Sequence, residues 1–148
     1  MAIFRYRMQS ILNIKQKMED QAKMEFMIAS GKLRDENEKQ DILLTRLESY
    51  LTEARGLRTS KLDVLKLKEN VTAQERMREY IEEQKICIKK AEDVLEQAKV
   101  KLQGYQIERK THEKLKENAF QEYIREENRR EGKEVDELTS YQSGRQIT

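Results

Sequence analysis

The sequence predicts an all-α fold, a long antiparallel two-helix coiled-coil hairpin. Three observations predict it. Residues that make turns are scarce: Pro is absent and Gly occurs 5 times in 148 residues. Charged residues make up 39% and hydrophobic ones 36%, with the Glu, Lys, Gln, Leu and Ala that long helices favour. The apolar residues recur in alternating steps of three and four, the heptad repeat. That periodicity argues against disorder, the competing reading of so polar a chain.

The second half carries the cleaner repeat. Met77, Ile81, Gln84, Ile88, Ala91, Leu95, Ala98, Leu102 and Tyr105 form an unbroken seam that continues through Arg109, His112, Lys116, Ala119 and Tyr123. One series holds the large Ile81, Ile88, Leu95 and Leu102; the other holds the small Ala91, Ala98 and Ala119. Large against small permits a close two-stranded approach. In the first half Ala22, Phe26, Ala29, Leu33, Leu43, Leu47, Tyr50, Ala54 and Leu57 keep one register, with Glu36 and Gln40 as polar members. The polar stretch 35–40 is expected to be the weakest or a bent part of this helix. Upstream, Met8 and Leu12 fit the register while Lys15 and Glu19 occupy seam positions. Ile11, Ile14 and Met18 then imply a local shift of the stripe.

Helix one is expected over about 4–57 and helix two over about 72–138, within one coiled-coil domain spanning 1–148. The reversal falls at about 56–72, between Gly56 and Thr72, with a short helix through Leu62, Val64, Leu65 and Leu67 as an option. Ser60 ahead of Asp63 and Thr72 ahead of Glu75 are two candidate helix starts, the second with capping-box spacing. A hairpin centred near 64 sets Glu19 against Arg109. The alternative is one continuous helix that dimerises in parallel. Residues 139–148 are expected to fray, because Thr139, Ser140, Ser143 and Gly144 weaken the helix.

Composition narrows function. Lys+Arg 30 against Asp+Glu 28 leaves +2 with the signs interleaved, so no basic stripe suited to nucleic acid is visible. The single Cys excludes an internal disulfide. No apolar run is long enough to span a membrane, and the opening residues Phe4-Arg5-Tyr6-Arg7 interrupt their hydrophobicity too early for a signal peptide. A cytoplasmic protein, peripheral to a membrane at most, is the expectation. Enzyme chemistry finds no support: His112 sits on the seam, Cys87 has no second ligand at helical spacing, and no phosphate-binding glycine loop occurs. No cofactor is expected. Tyr80, Cys87 and Val94 are heptad-spaced one residue off the seam, with Ile86, Val100 and Ile107 on other faces. They either widen the core or form a stripe that docks a partner.

Two terminal runs add a resemblance. The opening Phe4-Arg5-Tyr6-Arg7-Met8-Gln9-Ser10-Ile11-Leu12-Asn13-Ile14-Lys15 resembles the N-terminus of the FliJ family of flagellar export proteins. The closing Glu127-Asn128-Arg129-Arg130-Glu131-Gly132-Lys133-Glu134-Val135-Asp136-Glu137-Leu138 resembles that family's C-terminal run, with Lys133, Asp136 and Glu137 at its most typical positions. Gly132 departs from the Gln commoner there. The resemblance implies a coiled-coil hairpin similar to the central stalk of rotary ATPases, acting in flagellar type III protein export. Its implied partners are the hexameric ring of the export ATPase, the membrane export gate protein and export chaperones, at the cytoplasmic face of the membrane at the flagellar base. Arg129, Arg130, Lys133, Asp136 and Glu137 would face the ring, with the N-terminal aromatics Phe4 and Tyr6 as the other contact. Tyr80, Cys87 and Val94 would lie in the gate-contacting region. A generic coiled-coil spacer and the stalk of a non-flagellar secretion system are the rival readings.

Overall fold

The computed structural model describes residues 3–59, 61 and 63–147, with side chains to residue 144. Two helices make up the fold, α1 (Gln9–Thr59) and α2 (Val64–Ile147), and together they form a helical hairpin. Among the described residues there is no strand, and no helix is long and apolar enough to cross a membrane. The chain divides into two compact units, Gln21–Gln103 and the pairing of Met1–Asp20 with Gly104–Thr148.

In the unit Gln21–Gln103 the two helices run antiparallel from the turn. Asn70 bonds back to Tyr50, Gln84 to Glu36 and Lys101 to Glu25, so partners on α1 fall in number as those on α2 rise. The predicted seam is the buried face. Ala29, Ala54, Ala91 and Ala98 are at most 8% exposed, while Phe26, Leu33, Leu43, Leu47, Ile88, Leu95 and Leu102 are half-buried. Among the large seam residues described in this unit, Ile81 and Met77 are the buried ones, at 6% and 9% exposed. A two-helix pair explains this pattern. The methyl of Ala lies wholly in the interface, whereas a Leu must leave one flank open. Each such Leu therefore gains less than the roughly 2 kcal/mol of full burial.

The turn differs from expectation. Among the described residues α1 runs to Thr59 and α2 starts at Val64, so the reversal does not take up the whole of 56–72, and Val64, Leu65 and Leu67 belong to the start of α2 rather than to a separate short helix. Ser60 and Leu62 lie outside the described residues. Asp63 is the N-cap, its Oδ1 accepting from the Lys66 amide at 3.2 Å and its carbonyl accepting from Leu67 N at 3.1 Å. Thr72 caps nothing; its hydroxyl donates to the Lys68 carbonyl at 3.0 Å, inside the helix. Likewise α1 is unbroken through 35–40. Gln84 Nε2 reaches the Glu36 carbonyl at 2.8 Å and its carboxylate at 2.5 Å, so a polar seam layer is bonded across the pair.

In the other unit α1 begins at Gln9 rather than about residue 4. Residues 3–6 are non-helical because Phe4 is drawn sideways onto two rings of α2: Phe120 at 5.1 Å between centroids and Tyr123 at 5.4 Å. The stripe does not shift here. Leu12 is 2% exposed and Glu19 likewise 2%, with Lys15 half-buried, whereas Ile11, Ile14 and Met18 stand 37–52% exposed. Ion pairs hold the original register: Lys15 Nζ to Glu108 at 2.8 Å, and Glu19 to Arg109 as the spacing predicted. At its far end α2 continues to Ile147 instead of stopping near 138. Thr139 stays in the helix by donating its hydroxyl to the Val135 carbonyl at 2.8 Å.

Candidate interaction surfaces

Three surfaces deserve description by the chemistry they present. The seam is consumed by helix pairing, and its polar members are mostly bonded. Asn70 and Gln74 are 5% and 7% exposed, with Gln74 Nε2 donating to Asn70 Oδ1 at 2.6 Å and Asn70 Nδ2 to the Tyr50 carbonyl at 3.0 Å. The sequence reading overlooked both, since it placed the reversal over Asn70 and began the seam at Met77, beyond Gln74; their 3–4 spacing ahead of Met77 is the sign that finds them. His112 is half-buried, and its Nδ1 is enclosed without a hydrogen-bond partner, as are Gln40 Oε1 and the Tyr6 hydroxyl. Among the described residues no group of three or more His, Cys, Asp or Glu side chains gathers as a metal site would need.

The second surface is the end of α2. Every residue from 128 to 144 is exposed, so no seam covers this segment. An isolated helix is marginal in water. Here Glu, Arg and Lys content supports it, with Arg130 3.7 Å from Glu127 one turn back. Arg129, Arg130 and Lys133 stand within little more than a turn, followed by Asp136 and Glu137, all of them exposed. Arg129 also borders a hollow of 550 Å³ with Ala119, Tyr123 and Glu126. Phe4 and Tyr6 do not join this cluster on equal terms. Both are half-buried, and Phe4 packs on Phe120 and Tyr123, six residues or more before Arg129.

The third surface is the flank of the Gln21–Gln103 hairpin that bears Tyr80, Cys87 and Val94. Tyr80 is 47% and Val94 52% exposed, and Cys87 is an exposed free thiol. Each lines a hollow between the helices. Tyr80 and Cys87 share one of 370 Å³ with Ile42 and Arg46; Cys87 and Val94 share one of 150 Å³ with Lys32. Ile86, Val100 and Ile107 are also exposed, on the side away from the seam.

The comparisons with known proteins follow the architecture. No curated protein matches the sequence. A solved structure of similar fold is that of a YscO homolog from Chlamydia trachomatis, with a TM-score of 0.59 and 22% identity, covering 99% of this chain and 100% of that one. The profile of the family described as Flagellar FliJ protein matches residues 4–148. The chain therefore belongs to the flagellar FliJ protein family.

Proposed function

We propose that this chain is a non-enzymatic stalk of flagellar export that binds the export ATPase ring through the uncovered end of α2. Membership of the FliJ family makes it a component of flagellar protein export. The finer reading rests on one observation: residues 128–144 form a helix with no covering seam, and Arg129, Arg130 and Lys133 are concentrated there. Arg130 and Lys133 are three apart and Arg129 and Lys133 four apart, so the three converge on one side. The planar guanidinium fork suits carboxylates that ring loops would offer. Asp136 and Glu137 then repel misregistered acidic loops. On this reading the chain promotes ring assembly and activity and handles export chaperones, while Tyr80, Cys87 and Val94 meet the export gate at the cytoplasmic side of the membrane.

A plainer reading, a solvated helix end, has the Arg130–Glu127 pair in its favour. The double substitution Arg129→Glu with Arg130→Glu separates the two. Loss of ATPase binding with helix content unchanged by circular dichroism is the expected result. Stimulation of ATP hydrolysis equal to the wild type would sink the proposal and leave Phe4 and Tyr6 to carry the contact.

A further inference from the structure

The flank that bears Tyr80, Cys87 and Val94 has a charge pattern that specifies its occupant. Across the two helices the flanking positions meet in pairs, and at one end the pair is ionic: Lys101 Nζ lies 3.1 Å from Glu25. Along the rest of this flank the pattern changes. Lys32 shares a hollow with Val94 and Cys87, and Lys39 and Arg46 share one with Cys87 and Tyr80. Glu83 of α2 also lines the second of these hollows, and Glu36 and Lys90 line the first, so in each of them two cations stand against one carboxylate. Among the described residues neither Lys32 nor Arg46 has a carboxylate at ion-pair distance, and Lys39 has only its neighbour Glu36 at 3.7 Å. Ile42 and Ile28 widen the apolar strip, at 55% and 70% exposed. Adjoining hollows of 430, 150 and 370 Å³ run along it, a shallow groove in which cations outnumber carboxylates.

We propose that this groove seats a third helix, supplied by a partner protein. That helix is apolar where it meets Ile42, Tyr80, Cys87 and Val94, and acidic where it meets Lys32, Lys39 and Arg46. The proposal rests on the reading of Tyr80, Cys87 and Val94 as a docking stripe and names the chemistry of what docks. Apolar flank residues at heptad spacing fit a helix rather than a strand or loop, because only a helix returns side chains at that interval. The unanswered cations select against a basic or neutral helix. A second copy seated groove to groove is disfavoured for the same reason, since it would set Lys32, Lys39 and Arg46 against their own equivalents.

The test uses the full chain and two synthetic amphipathic peptides of about three heptads. They share one apolar face and carry either Glu or Lys at the flanking positions. Fluorescence anisotropy should show the Glu peptide binding the wild type, more weakly as salt is raised. The triple variant Lys32→Glu, Lys39→Glu, Arg46→Glu should lower that affinity by about tenfold or more and bind the Lys peptide instead. If that variant loses helix content, the Gln substitutions at the same three positions should still weaken the Glu peptide. Equal binding of the two peptides, binding of neither, or burial of the groove in a dimer seen by sedimentation would each overturn the inference. The gate-contact reading fails separately. Its failure is shown if Tyr80→Ala with Val94→Ala abolishes Glu-peptide binding yet leaves capture of the gate's cytoplasmic domain intact.

Discussion

Glu19 accepts a hydrogen bond from the Nε of Arg109, ninety residues along the chain, with its carboxylate sealed at 3% side-chain exposure. Arg109 is itself held between two carboxylates, since its Nη1 also donates to Glu113 Oε1 at 2.9 Å. The bond to Glu19, then that to Glu113, raises the guanidinium pKa above its ordinary value. A raised cation stabilises the fold at every pH below its unfolded pKa and loses that effect only as pH climbs through the folded one. The arginine side of this pair is therefore constant across the neutral range.

Truncating one partner leaves a buried charge, whereas replacing both leaves an apolar seam. Arg109→Leu should lower the urea midpoint more than the double variant Glu19→Leu with Arg109→Leu. Equal midpoints for the two would show that the buried carboxylate is answered from elsewhere. Cysteines placed at 19 and 109 should likewise cross-link within one chain, as read on a non-reducing gel.

The same pair shows what was legible in the sequence. Heptad spacing determines which faces meet, so the seam from Ala22 to Leu57 and from Met77 to Tyr123 was readable, and register arithmetic put Glu19 opposite Arg109. The stripe of Ile11, Ile14 and Met18 misled because charged Lys15 and Glu19 looked unsuited to a seam. Their ion pairs with Glu108 and Arg109 are tertiary facts that no local pattern contains. The turn misled for a different reason. Thr72 and Glu75 imitate a capping box within a continuous helix, and 60–63 contains neither Gly nor Pro to mark the true reversal. The outward surfaces were visible as exposed residues, but which cations lack carboxylates depends on cross-helix pairing.

The true start of α2 provides a second prediction. Asp63 accepts from the Lys66 amide and answers one of the donors that a helix start leaves open. Asp63→Ala should cost about 1 kcal/mol, read as a lower urea midpoint with an unchanged slope. Thr72→Ala should be close to neutral, because Thr72 sits at an exposed position within the helix. A larger loss at Thr72 than at Asp63 would return the helix start to the later position.

Gly132 gives a prediction of opposite sign. It lies in the uncovered part of α2 with no positive φ, and a Cβ added there meets nothing within 4 Å. Gly132→Ala should therefore stabilise the segment by roughly 0.5–1 kcal/mol, by reducing the conformational freedom lost on helix formation. Amide exchange across 124–144 should slow while exchange elsewhere stays the same. Faster exchange after the substitution would mean that the glycine answers a close approach by another group.

The last prediction concerns how the chain is held ahead of α1. Phe4 meets Phe120 edge-on at an interplanar angle of 69° and Tyr123 at 47°, while those two rings stack at 6.5 Å. Residues 3–6 have no helix to hold them, so this cluster is their main apolar anchorage. Each aromatic pair adds about 0.5–1.5 kcal/mol beyond the area it buries, and Phe4 takes part in two of the three. Phe4→Ala should release the lead segment, with faster proteolytic cleavage after Arg5 and Arg7. Phe4→Leu should retain part of the protection through apolar burial alone. The helix content of α2 should stay near the wild-type value in both variants, since Phe120 and Tyr123 still stack on each other. Unchanged cleavage in Phe4→Ala would show that Tyr6, half-buried beside it in sequence, anchors the segment instead.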